Sequence, residues 1–264
     1  VPGAHPVLGC AAALAWERTL LGGDESREWA AMSRAGRAIA EALRGEARGP
    51  DAWADGASML VLCGKGHNGG DALIALHHLL HLRPDARALV VVVPGFARLR
   101  PLTRRAVEGL ERTHGPRVTW LQVSGGPDGR DAAQVRDALA ERTFALCLDG
   151  LFGMQFAAPL RAPADWLLDR VNAHSAIGLR GAVDLPSGLG ERSDPRAFVA
   201  DVTYATGILK APVLAHPAQS GRIRYLDLGF FAAGDSADSD TRVLTPHEIG
   251  RASCRESVWR EVES

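Results

Sequence analysis

Short, continuous apolar runs alternate along this chain with stretches whose apolar positions recur every three or four residues. The first fifty residues read as helical: in 29–43, Met32, Ala35, Ile39, Ala42 and Leu43 fall at helical spacing, and a Gly-Pro pair at 49–50 ends the segment. Residues 58–63 (SMLVLC) form an apolar run of strand length. The glycine-rich GKGHNGGD follows at 64–71, and helical periodicity resumes over 71–80. The alternation continues, with strands predicted over 88–93, 117–123, 144–148, 176–183, 199–205 and 223–228, and helices over 98–113, 131–141 and 163–172. Strands alternating with helices imply an α/β fold: a mostly parallel central sheet with helices on both faces. Residues 232–241 are small, acidic and polar and read as linker. No internal repeat is present.

Composition narrows the function classes. At 264 residues the chain is long enough for one large domain or two small ones. Lys and Arg number 30 against 31 Asp and Glu, so the basic excess of a nucleic-acid binder is missing and no nucleic-acid partner is expected. No apolar stretch approaches the roughly 20 residues of a membrane helix. The Ala-rich start lacks a basic region and begins at Val1, which reads as a gene fragment rather than a signal peptide. Cys10, Cys63, Cys147 and Cys254 are far apart in no metal-ligand spacing, and a reducing cytoplasm is the simplest compartment.

Three strands end in polar clusters, where ligands of open parallel sheets bind. The first delivers GKGHNGGD (64–71), the second LDGLFG (148–153), the third VDLPSG (183–188). The glycine loop leads into a helix N-terminus, whose free N–H groups suit an anion such as phosphate. Counted from Gly64 it matches G-x-G-x-x-G, but the next strand ends in Val93-Pro94 without the ribose-binding acid of a dinucleotide-dependent oxidoreductase. Asn68 also suits a turn in left-handed conformation, and Asp71 suits a helix dipole. Asp149 and Asp184 directly follow apolar runs, where a carboxylate has reason to pair with a cation or act as an acid or base. His77 and His81 share a helix face, but no carboxylate or Cys partner accompanies them and a surface role is expected.

These three motifs, in this order, resemble the NAD(P)H-hydrate epimerase family, the YjeF N-terminal domain family. MSRAGRAIA (32–40) resembles the family's opening helix, and DVTYATGILK (201–210) its late strand with a lysine; the resemblance covers about residues 29–229. It implies a Rossmann-like, three-layer α/β/α fold that interconverts the R and S epimers of NADHX and NADPHX, with a bound potassium ion. Carried over by motif position, Asn68, Asp149 and Ser187 contact potassium. His67, Asn68, Gly69, Gly70 and Asp71, together with Gly153, Met154, Gln155, Phe156, Ala157, Ala158, Pro159 and Asp184, contact substrate. Asp184 is the candidate catalytic group, because exchanging a hydroxyl on a carbon bonded to nitrogen needs proton transfer and negative charge beside a cation.

The chain departs from the family pattern at His67, where an asparagine is usual, and at Met154-Gln155, where the family has Gly-x-Gly after the second strand. A side chain at Gln155 would crowd the pocket if the backbone there took positive φ. LTPHE (244–248) resembles the junction at which bifunctional members continue into a hydrate dehydratase. EIGRASCRE (248–256) resembles a translated sequencing adapter. The expected organisation is an epimerase-type domain over 1–231, a linker over 232–247 and a non-native tail over 248–264. The N-terminal helices offer material for a homodimer, and a hydrate dehydratase, fused or separate, is an expected partner. The competing reading is a non-catalytic nucleotide-binding or scaffold domain on the same fold.

Overall fold

The apolar runs become strands whose successive side chains feed opposite layers. In the computed structural model, which describes residues 4–46, 56–231 and 239–244, the elements in chain order are β1 (Ala4–Leu8), α1 (Cys10–Leu21), α2 (Glu25–Glu46), β2 (Ser58–Cys63), α3 (His67–Leu82), β3 (Arg87–Val92), α4 (Pro101–His114), β4 (Val118–Gln122), α5 (Arg130–Ala140), β5 (Phe144–Gly150), α6 (Ala164–Asn172), β6 (Ile177–Val183), β7 (Val202–Thr206), β8 (Leu209–Lys210), α7 (Ala211–Ala215), α8 (Pro217–Ser220), β9 (Arg222–Leu226) and β10 (Arg242–Leu244). Met59, Val61 and Cys63 of β2 enter one core, with α2, α3 and α4. Leu60 and Leu62 enter the other, with α5 and α6. That period of two, with both faces apolar, is what a sheet covered on both sides requires.

Seven strands pair in the order β4-β3-β2-β5-β6-β7-β9, all in parallel. The expected α/β/α sandwich forms around them. The chain builds outward through β3 and β4, then crosses back to place β5 on the other side of β2. The carboxyl ends of β2 and β5 therefore flank the topological switch point, where such sheets bind ligands.

Two stretches differ from the sequence expectation. Residues 4–8 are a strand, not the start of a helical region, and β1 lies between β8 and β10 in a separate three-stranded sheet. Five residues are too few to display a period, and their partners are more than two hundred residues away in sequence. Within the expected linker, residues 242–244 form β10 and pair antiparallel with β1. Residues 232–238 and 245–264, which hold the rest of that linker and the suspected tail with Cys254, lie outside the described residues. Among the described residues no helix is long and apolar enough to cross a membrane.

Candidate active site at the switch point

The glycine loop is shorter than the sequence suggests because α3 begins at His67, not Asp71. Gly64 turns the chain directly against the next strand: its N–H donates to Gly150 O at 3.0 Å, and a Cβ there would lie 1.9 Å from Leu151 O. Gly69 packs equally closely on the loop, with its Cβ position 2.2 Å from Gly64 O. Only glycine allows these backbones to touch. Gly66 occupies the N-cap position without a capping side chain, so the first N–H groups of α3 are left for solvent or a ligand. Asn68 is in this first helical turn, not in a left-handed turn, and its Nδ2 donates to Phe152 O and Val183 O, each at 3.0 Å.

Asp149 and Ser187 lock the loops after β5 and β6 together. Ser187 N and Oγ donate to the two Asp149 oxygens, each at 2.7 Å, and Leu151 N donates to Oδ1 at 3.2 Å. Ser187 Oγ accepts from Phe152 N at 2.8 Å. Burial pushes Asp149 up to about 6, against the opposing pull of the Ser187 and Leu151 hydrogen bonds.

Asp184 follows β6 with φ of 69°, the one non-glycine residue with positive φ among those described. A left-handed aspartate at a strand end costs some conformational energy, and such residues concentrate at functional sites. Its N–H remains tied to Tyr204 O at 2.9 Å. Asp184 Oδ1 accepts from Thr206 Oγ1 (3.0 Å), Thr206 N (3.3 Å) and Lys210 Nζ. Lys210 is fully buried and also donates to Thr206 O at 3.2 Å. All three donors converge on one oxygen of Asp184.

A cavity of about 1260 Å³ opens above these groups. Its wall includes His67, Asn68, Gly69, Asp71, Asp184 and every residue from 153 to 159. Asp149 and Ser187 lie beneath the wall, and Gly70 faces the Met32 side chain. Asp71 is buried with Oδ1 unpartnered, and burial, reinforced by Asp184 and Glu17, raises its carboxyl well above the ordinary range. Burial lowers the His67 imidazole, while Glu28, 3.6 Å away, opposes that shift. Gln155 has no positive φ and is exposed; its Oε1 accepts from Arg100 Nη2 at 3.2 Å, so its side chain runs to the rim. The Phe152 and Phe156 rings pack at 5.4 Å between centroids.

Sequence reasoning missed several wall residues. Thr206 ends β7, and Glu17 reaches the cavity from α1. Lys65, Arg100, Arg161 and Arg192 bring positive charge to the wall. Lys210 was visible only as a lysine in a motif, with no role attached. Away from the site, His77 packs against His114 at 4.8 Å between ring centroids.

Residues 29–211 match the family model described as YjeF-related protein N-terminus. Over 191 residues the chain is 36% identical to the NAD(P)H-hydrate epimerase of Bordetella pertussis, covering 70% of this chain and 72% of that protein. It is 29% identical over 215 residues to the bifunctional NAD(P)H-hydrate repair enzyme Nnr of Hyperthermus butylicus; the match covers 78% of this chain but spans about a third (36%) of that longer relative. The crystal structure of yeast ynu0, YNL200c, shares the fold with a TM-score of 0.67 and 21% identity, covering 90% of this chain and 99% of that one.

Proposed function

We propose that this chain, which belongs to the YjeF-related protein N-terminus family, interconverts the R and S epimers of hydrated NADH and NADPH. The observation that carries the reading is the Asp184–Lys210 pair at the floor of a cavity of dinucleotide size at the switch point of the sheet. The names of its epimerase relatives point the same way.

The reacting carbon of the hydrate bears a hydroxyl and is bonded to the ring nitrogen. Loss of that hydroxyl leaves a cation delocalised onto nitrogen, and water returning to the opposite face gives the other epimer. Asp184 presents negative charge to this cation from a site fixed before the reaction begins. Lys210 and Thr206 hold one carboxylate oxygen, which sets the orientation of the other. The N-terminus of α3 and the cations Lys65, Arg100, Arg161 and Arg192 suit the substrate's phosphates. The packed Phe152 and Phe156 rings give one stretch of the cavity wall an apolar surface.

The residues present also fit a potassium ion. The Asn68 side chain lies against two backbone carbonyls, Phe152 O and Val183 O, while Asp149 and Ser187 add oxygen donors from the adjoining loops. A hard monovalent cation prefers such an all-oxygen set. Among the described residues Asp149 is buried with hydrogen-bond donors and no ion pair, so a nearby positive charge would relieve its burial. Asn68, Asp149 and Ser187 would hold the ion, and it would supply positive charge beneath the substrate-binding loops.

The direct test incubates purified chain with R-NADHX or R-NADPHX and follows the S epimer chromatographically. Conversion above the enzyme-free rate is expected, with ¹⁸O from labelled water entering the product. Conversion without label uptake would overturn the elimination and re-addition route. A folded chain that binds the hydrates without converting them would support the binding-domain reading instead.

A further inference from the structure

Three carboxyl side chains, those of Asp184, Asp71 and Glu17, line this cavity. Lys210 is committed to Asp184 Oδ1 and Thr206 O. Asp71 lies on α3, 6% exposed, with Oδ1 unpartnered. Glu17 enters the same cavity from α1, outside the family-matched residues 29–211, and is half-buried. Ionised together, the three carboxylates would repel one another, and the buried ammonium is already bonded to Asp184. Such clusters relieve the repulsion by retaining protons.

Asp71 and Glu17 are therefore the members that hold their protons more tightly than free carboxyls, and they differ in access. Asp71 is enclosed within the helix layer. Glu17 is half-buried on the cavity wall, where exchange with water can recharge it. We propose that Glu17 is the catalytic acid that protonates the departing hydroxyl of the hydrate, opposite Asp184 as the anion that faces the ring cation. This deepens the epimerase reading and rests on it.

The step balances without an oxidant or reductant. The Glu17 O–H bond breaks as a new O–H bond forms on the substrate hydroxyl. The C–O bond then breaks with its electron pair on oxygen and water leaves, while the ring nitrogen lone pair forms the C=N bond. In the return direction a water oxygen bonds to the opposite face of the carbon and gives its proton to solvent water, and the Glu17 carboxylate regains a proton from water. Burial pushes Glu17 up to about 7, with Lys210 opposing and Asp184 reinforcing, which places the acid where it can both give and regain a proton. The charged and titratable groups that share the cavity with it are Asp184 at the sheet edge, Asp71 and His67 on α3, Lys65 before it, Glu28 on α2, Arg18 on its own helix, and Arg100, Arg161 and Arg192, with Lys210 and Asp184 acting on it electrostatically.

The experiment measures epimerisation of R-NADHX and R-NADPHX from pH 5 to 9 for the full chain and its Glu17→Gln and Glu17→Asp variants, with folding checked by melting at pH 5. The parent rate should fall as pH rises through about 7. Glu17→Gln should lose about 100-fold or more in kcat with KM nearly unchanged and no inflection near 7, while Glu17→Asp should keep part of the rate and the inflection. A folded Glu17→Gln variant within about threefold of the parent, or one that is slower but keeps the parent's inflection, overturns the assignment. A parent that does not epimerise either hydrate overturns the enzyme reading and the Glu17 role with it, whereas an active parent with an unaffected variant overturns the Glu17 role alone.

Discussion

Lys210 Nζ is hydrogen-bonded to Asp184 Oδ1 with both side chains almost wholly removed from solvent, at 0% and 5% exposure. A pair so enclosed contributes little net stability, yet removing one partner strands the other's charge in the interior. Asp184→Asn and Lys210→Met should each destabilise the fold by about 3–5 kcal/mol, measured by urea denaturation, and each should abolish epimerisation. The double variant should recover most of the stability and none of the activity. Additive losses in the double variant would show that the two side chains are not coupled.

The tight contacts of the glycine loop make its glycines unequal. Gly64→Ala forces a methyl group onto Leu151 O and should cost about 3 kcal/mol or prevent folding. Gly66→Ala meets no atom within 4 Å and should change stability by less than about 1 kcal/mol. Comparable melting temperatures for the two variants would contradict the packing described for Gly64.

Folding stability should decline as pH rises from weakly acidic to neutral. Glu17 is raised from 4.5 to about 7, so the folded chain binds more protons than the unfolded chain in that interval. The associated penalty is absent below about 4.5 and complete above about 7. Glu17→Gln should match the parent near pH 4.5 and exceed its stability at pH 8 by on the order of 3 kcal/mol. Denaturation curves at the two pH values check this, and equal differences at both would refute it.

Potassium should stabilise the chain through the oxygen donors around Asn68. The melting temperature should rise in KCl relative to choline chloride at equal ionic strength. This increment should shrink in Ser187→Ala and vanish in Asn68→Ala. An increment that survives both substitutions would place the ion elsewhere.

Gln155 should be largely neutral for the chemical step, because its side chain is hydrogen-bonded to Arg100 at the rim. Gln155→Gly is expected to leave kcat within about twofold and to act, if at all, through KM. A tenfold change in kcat would show that Gln155 reaches the reacting atoms.

Asn68, Asp149, Asp184 and Ser187 were legible because each follows a strand that announces itself as a continuous apolar run. A polar residue at such a boundary must sit at the sheet edge, and the glycines beside it advertise close backbone approach. Lys210 ends a two-residue strand, too short to generate a pattern, and its burial depends on β1, which is distant in sequence. Glu17 occupies an alanine-rich helix in which no periodicity separates the cavity face from the others. Its place in the same cavity as Asp184 arises only in the folded chain. The start of α3 was placed four residues late because two consecutive glycines oppose helix propensity. Close packing of that first turn against Gly150 overrides the preference: the Cβ position of Gly150 lies 2.6 Å from Asn68 O.

The three-stranded sheet β10-β1-β8 has a practical consequence for trimming the protein. Residues 29–211 look like a natural minimal unit, since they are what the family model matches. Cutting there would remove β1, exposing the edge of the strand that carries Lys210, and would delete α1 together with Glu17. A shortened version could thus keep every motif residue and still lose the cavity's opposite wall. Expression boundaries for crystallisation or engineering should be drawn outside β1 and β10.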